Sequence, residues 1–362
     1  MNRRNLISYV ITILATAIGF FVVLTVCNNL YGGQMFDAIL RFLVGAIIAG
    51  FLNTVAHELG HYFAGKKNGF VFSSMSIWFF KWKKVEGKTK FQFVLMGEEA
   101  GYTEMIPTQT ENIDKKFAKM TKGGIVASFI VTLLGIPPLF MGFLPIWIYS
   151  IWAMFLPVGL YYFFGTYLPT VSGGMLNDGA VLQSIKKQTD SSKVMINLLK
   201  IQVQLYSGKL PSEIDESLYF DLPQLPEDDM NFAMLLNARY SYYVDKEDFE
   251  NAKKVSARLL SLEEYLPKNF VMIAKTDALY NACTFDYNEE VADDLLYEVE
   301  DYINNVNSAT NLRVKIAYLV NVNKEMENLD MFFKKAYKEA SKEQLKGLTL
   351  YETKLLDKLK NR

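Results

Sequence analysis

Histidine and cysteine are scarce in this chain: there are two of each in 362 residues. Cys27 lies in an apolar run, Cys283 lies deep in a polar half, and neither has a CxxC neighbour, so no disulfide framework is implied. Charge is missing over long stretches. Residues 5–36 and 123–177 contain no Asp, Glu, Lys or Arg. Uncharged apolar runs of about 18 or more read as membrane spans, which excludes a wholly soluble protein. The polar second half excludes a fully embedded one. The mean hydropathy of +0.09 hides this contrast because it averages the two halves.

The two halves also differ in charge. Residues 1–188 carry 16 Lys/Arg and 9 Asp/Glu, a net of +7, and residues 189–362 carry 22 and 30, a net of −8. A basic membrane part, 1–188, is therefore expected to join an acidic soluble part, 189–362. The basic charge sits in the membrane part, so nothing points to nucleic acid. The start, Met1-Asn2-Arg3-Arg4 followed by an apolar stretch, is too long for a signal peptide and lacks a clean cleavage site, so it reads as a retained span. Four spans are expected, at about 6–27, 36–64, 124–143 and 145–168. Pro137-Pro138 and the Gly142–Pro145 stretch break the 55-residue run in two.

Lys and Arg set the expected orientation. Arg3 and Arg4 favour an inside N-terminus. The 65–122 loop holds 11 Lys/Arg against 6 acids and belongs inside. Four spans then return the chain to the inside, so the acidic half is expected to be cytosolic in a multi-pass cell-membrane protein. Arg41 is expected to snorkel to the outer interface.

Within the inner loop, about 70–103 reads as a small β segment. Lys81-Trp82-Lys83 and Lys90-Phe91-Gln92-Phe93 alternate at period two, Glu86-Gly87-Lys88 makes a hairpin turn, and Ala100–Thr103 adds a third strand. Trp78, Phe79, Phe80 and Trp82 suit a membrane–water boundary. The segment is either an amphipathic anchor or an edge strand that receives an extended peptide. From about Lys193 the pattern is helical. Asn231–Val244 and Phe249–Leu262 form one pair, Phe270–Phe285 and Glu289–Val306 a second, and Leu312–Val322 and Leu329–Ala340 a third, with breaks near 246, 287 and 326. This spacing of roughly 40 residues falls in the range of helix-pair solenoids. The turn from Tyr242 to Ala252 resembles that of a tetratricopeptide repeat. The expected fold class is an α-helical polytopic membrane protein with a small β segment, plus an all-α cytosolic domain of helical-repeat character.

The only histidines are His57 and His61, in His57-Glu58-Leu59-Gly60-His61. Random placement would give two residues this spacing in about one chance in 180, before a Glu is required between them. On a helix, positions four apart share a face, and Glu58 lies within the same arc. Two imidazoles can then hold one Zn²⁺ while Glu58 faces its open position and takes a proton from a water that zinc acidifies to a pKa of about 7. Ionisable groups are costly inside a membrane and need a reason. A third protein ligand is required, and with no further histidine it must be Asp, Glu or Cys. Asp178 is the best placed, as the first charge after the second uncharged run, in Met175-Leu176-Asn177-Asp178-Gly179. Pro169 and Ser172-Gly173-Gly174 ahead of it suggest an unwound backbone. Four spans bring Asp178 to the side of the histidines. The competing role for Asp178 is to cap a helix beginning near Gly179.

These residues resemble the site-2 protease family of intramembrane zinc metalloproteases. The resemblance covers about residues 36–187: HExxH at the end of one span, a Pro- and Gly-containing loop with an Asp-Gly pair two spans later, and a β segment between. It implies His57, His61 and Asp178 as ligands of one Zn²⁺ and Glu58 as general base. It also implies a membrane-protein or peptide substrate cut in or near its transmembrane segment. The family often has Leu before its Asp-Gly, where this chain has Asn177. It also often has an Asn three residues before the Pro, where this chain has Thr166. That family Asn holds substrate or the oxyanion, and Thr166 or Asn177 is the candidate replacement. No PDZ-like insertion is evident, and the helical domain is a candidate for recruiting or gating, with a protein partner of its own. One alternative is a non-catalytic membrane receptor or scaffold acting through the C-terminal helical domain. A narrower one is a zincin resembling the CAAX prenyl proteases, which take their third ligand from a downstream Glu.

Overall fold

A computed structural model describes residues 3–32, 35–94, 100–172, 174–325 and 328–361. Leu95, Gly173 and the break near 326 lie outside the described residues. Helix α1 spans Arg3–Tyr31 and α2 spans Met35–Lys67. Four strands follow, β1 Phe70–Ile77, β2 Phe80–Val85, β3 Lys88–Phe93 and β4 Gly101–Pro107. Helix α3 spans Ile113–Leu134, α4 Ile146–Ala153 and α5 Phe155–Tyr167. Four helical stretches are long and apolar enough to cross a membrane: Asn5–Tyr31, Ala38–Lys67, Ile113–Phe140 and Ile146–Tyr167. Leu14, Ile18 and Phe21 stay exposed, as lipid-facing side chains must.

The third stretch starts earlier than residue 124. The basic turn from Lys115 to Lys122 joins the same helix, because Asp114 in its first turn and lysines along one side suit a helix that emerges from the membrane. The fourth breaks at Met154 between α4 and α5, where Pro157 cannot donate to the carbonyl of Ala153. Arg41, expected to snorkel, is instead buried within the protein at 4% exposed, with its charge acting on Cys27.

The sheet has order β3-β2-β1-β4, all antiparallel. Glu86 and Gly87 both have positive φ, 52° and 76°, as a tight hairpin turn demands. The alternating stretch read as one strand before this turn is two. The chain reverses at Trp78, with φ 52°, and no Gly or Asn there announces it. The third expected strand is the fourth observed, and it pairs with β1 rather than with the hairpin. A bulge at Ser73 interrupts the β1–β4 register.

After α5 come a two-residue ladder, β5 Val171–Ser172 with β6 Met175–Leu176, and α6 Asp178–Lys187. The second half is α7 Asp190–Ser207, α8 Ser217–Phe220, α9 Met230–Lys246, α10 Phe249–Leu260, α11 Lys268–Cys283, α12 Glu289–Asn305, α13 Ala309–Tyr318, α14 Leu329–Ala340 and α15 Lys346–Lys360. Two of the breaks in the sequence are helix starts. Asp248 accepts from the Asn251 amide at 3.3 Å, and Asn288 accepts from the Val291 amide at 3.2 Å, each satisfying an otherwise unpaired first-turn donor. One cluster, including Tyr240, Leu279, Val299, Ile316 and Leu355, joins α9 to α15 into a continuous core, and α7 and α8 pack through separate clusters around Val194 and Tyr219.

Candidate metal centre

The site begins with a close helix crossing. Gly60 of α2 faces Gly123 of α3 so closely that a Cβ on either would stand 2.4 or 2.3 Å from the other's carbonyl oxygen. Small residues permit such approaches in membranes. One residue on, Gly124 lies under the two imidazoles. A Cβ there would meet His61 Nε2 at 2.4 Å and His57 Cε1 at 2.8 Å. The helices can therefore bring α3 against the histidine face of α2 only if position 124 has no side chain.

His61 Nδ1 lies 3.1 Å from the carbonyl of Met120. A carbonyl only accepts, so Nδ1 carries the proton and Nε2 presents a lone pair. His57 Nδ1 lies 2.9 Å from Ser128 Oγ. Each ring is thus oriented from α3 through its far nitrogen, the usual arrangement of a metal-binding imidazole. The two Nε2 atoms are 3.1 Å apart. Asp178 Oδ2 lies 3.1 Å from His57 Nε2 and 3.3 Å from His61 Nε2. A tetrahedral ion with bonds of about 2.0–2.1 Å holds its ligand atoms about 3.3 Å apart, so this triangle has the dimensions of one face of such a tetrahedron. Asp178 Oδ2 is buried and lacks a directed hydrogen bond. Three lone-pair atoms converging on one point need a cation between them, and zinc suits this donor set. His57, His61 and Asp178 are the one group with metal-binding geometry among the described residues, and no downstream Glu joins it.

Asp178 does not cap its helix. Asn177 does, accepting from the Ala180 amide at 3.0 Å. The Asn177 amide group donates to the carbonyls of Gly165 at 2.7 Å and Leu168 at 2.8 Å, and its oxygen also accepts from the Thr170 amide at 3.0 Å. It staples the end of α5 to the start of α6 and leaves the Asp178 carboxylate free to face α2. The Thr166 hydroxyl donates back to Tyr162 within α5 at 2.9 Å. Both side chains singled out for the oxyanion are committed to backbone, and that role would require these bonds to be exchanged.

Glu58 is 4% exposed and lies on the same face. Its Oε2 accepts from Thr103 Oγ1 of β4 at 2.5 Å. At Gly101, a Cβ would meet Glu58 Oε1 at 2.5 Å, so the start of β4 lies directly on the carboxylate. Thr103, Gly124 and Ser128 escape sequence reasoning about the motif. The stripe Gly123, Gly124, Ala127 and Ser128 in an otherwise large-residue span was a usable signal for a tight crossing. Nothing local marks Thr103.

The profile of Peptidase family M50 matches residues 45–348. No curated protein and no solved structure matches the chain. The match takes in the HExxH helix, the sheet, Asp178 and most of the helical half, and the chain therefore belongs to peptidase family M50, the site-2 protease family of intramembrane zinc metalloproteases.

Proposed function

We propose that the chain hydrolyses a peptide bond in or near the transmembrane segment of a membrane protein or peptide, with His57, His61 and Asp178 as the three protein ligands of one Zn²⁺. The observation that carries this reading is the 3.1–3.3 Å triangle of lone-pair atoms with Glu58 beside it on the same helix. Zinc bound there would supply Lewis acidity, polarising a scissile carbonyl and acidifying a water. Glu58 accepts the proton of the attacking water and delivers it to the departing amide nitrogen. Thr103 fixes the carboxylate through Oε2 and leaves Oε1 for this transfer. Ser128 and the Met120 carbonyl hold the rings so that both Nε2 lone pairs stay directed inward.

A helical substrate must be unwound before its carbonyl is reachable. β4 ends the sheet, and its Gly101–Thr103 end lies on Glu58. An extended segment pairing there would bring its carbonyls past the site. The basic 65–122 loop supports a site opening toward the inside, with both termini and the helical half cytosolic. We read the helix pairs as a tetratricopeptide-like recruiting part.

The experiment is Glu58→Gln in the full chain, with zinc content and cleavage of a membrane-anchored reporter measured together. Expected is zinc near one per chain in both proteins and a loss of cleavage of about 10³-fold or more in the variant. Cleavage or cellular function that survives the substitution would favour the receptor reading instead.

A further inference from the structure

A second polar site lies in the helical half, far in sequence from the metal centre. Helices α7, α9, α11, α13 and α15 line an open-mouthed cavity of about 440 Å³, a size typical of small-ligand sites. Tyr240, Tyr351 and Phe270 supply aromatic wall, and Asp277, Glu343 and Arg313 are among its polar lining.

Arg313 is already paired. It is 2% exposed, donates from Nε to Glu352 Oε2 at 2.7 Å and stacks on the Tyr280 ring at 4.1 Å. Thr310 donates to the other oxygen of Glu352 at 2.7 Å. Asp277 is 6% exposed. Its carboxylate accepts no hydrogen bond and joins no ion pair among the described residues, and the same is true of Glu343. One buried carboxyl group, that of Asp277, thus lines a cavity without a hydrogen-bond or ion-pair partner, with the exposed Glu343 at its edge, and the one cation in the lining, Arg313, is already paired with Glu352. A buried charge needs a partner. No three ligand atoms converge here as they do at His57, His61 and Asp178, so a metal ion is not the partner that fits. Aromatic walls favour an organic cation.

We propose that this cavity binds a primary ammonium carried on an apolar stem, with Asp277 as the main acceptor, Glu343 as the second, and the tyrosine and phenylalanine rings around the stem. The source is either a free alkylamine or the lysine side chain of a peptide. Burial, outweighing the pull of Arg313, holds the Asp277 carboxyl up at about 7, so a bound cation stabilises a group that the fold alone leaves uncompensated. The site borders the protease half directly. Glu343 is followed by Gln344, whose amide donates to Ser73 Oγ at 3.2 Å and to the Lys84 carbonyl at 3.3 Å. Ser73 in turn donates to Glu104 of β4 at 3.0 Å, next to Thr103.

The test is calorimetric titration of the detergent-purified full chain with three probes: pentylamine, Nα-acetyl-lysine N-methylamide, and pentanoate as the anionic control, since Arg313 Nη1 has no acceptor of its own. Expected is saturable binding of at least one amine and none of pentanoate. Affinity should fall about tenfold or more in Asp277→Asn, the size of a lost charge-assisted hydrogen bond, with a smaller fall in Glu343→Gln. Asp277→Asn removes an uncompensated buried charge, so it is expected to fold. Tighter binding of pentylamine identifies a free amine as the source, and tighter binding of the lysine derivative identifies a peptide. The proposal is overturned if neither amine binds, if Asp277→Asn binds as wild type does, or if pentanoate binds instead.

Discussion

Replacing Gly124 with Ala tests whether the helix crossing sets the metal site. The added methyl would sit 2.4 Å from His61 Nε2, 2.5 Å from His61 Cε1 and 2.8 Å from His57 Cε1. Non-bonded heavy atoms rest about 3.5–4.0 Å apart, so either α3 retreats or the rings turn aside by about 1 Å. Metal–ligand distances tolerate only about 0.2 Å. A retreat of α3 is opposed at the next residue, where Gly123 touches Gly60 backbone to backbone, and would also pull Ser128 and the Met120 carbonyl off the two Nδ1 atoms. Overpacking of this kind costs about 1–3 kcal/mol, which a protein of this size can survive. Gly124→Ala should therefore fold, lose zinc affinity by at least about 10–100-fold and lose cleavage by about 10²-fold. Zinc would be counted per chain by elemental analysis after dialysis against a weak chelator, with helicity followed by circular dichroism. Gly165→Ala is the control, because nothing lies within 4 Å of its added Cβ, and it should retain zinc and activity. Full zinc and full cleavage in Gly124→Ala would refute the argument that the crossing distance fixes the ligand triangle.

Thr103→Val removes the hydroxyl from Glu58 while keeping the shape of the strand. It should lower kcat about tenfold with zinc content and KM unchanged, and Thr103→Ser should restore most of it. Equal kcat in the Val variant would mean that Glu58 needs no anchor from β4. Asp277 makes stability depend on pH. Its folded value of about 7 lies above the unfolded value of about 3.9. The fold therefore holds the proton more tightly, and this contribution is complete below about pH 4 and is lost as the pH rises to about 7. The loss is on the order of 4 kcal/mol, the free-energy equivalent of a rise from about 3.9 to about 7. Melting of the full chain should fall from about pH 5 to 7 and flatten in Asp277→Asn, and an unchanged slope in that variant would place the ionisation elsewhere.

Much of this protein can be read along single helices. HExxH needs only one turn of helix to put two imidazoles and a carboxylate on one face, and uncharged runs mark spans because no charge is cheap in lipid. The helix pairs are legible because Asp248 and Asn288 cap where the apolar period restarts. Asp178 was singled out as the first charge after the second uncharged run, and counting spans placed it on the side of the histidines. What stayed hidden depends on contacts between elements distant in sequence. Thr103 meets Glu58 only after a sheet that reverses at Trp78 and sends β4 back beside β1. Ser128 meets His57 only where Gly60 and Gly123 touch.

The role of Asn177 also depended on its surroundings: a side chain that could face a substrate instead ties α5 to α6, because four backbone groups around it need partners. The same holds for Asp277, which in sequence is one acid among 39 and becomes distinctive only when five helices close around it. Sequence by itself determined the chemistry available, since residue type and helical period are local properties. Tertiary structure decided which groups hold that chemistry in place, because close approach and burial arise only when separate elements pack.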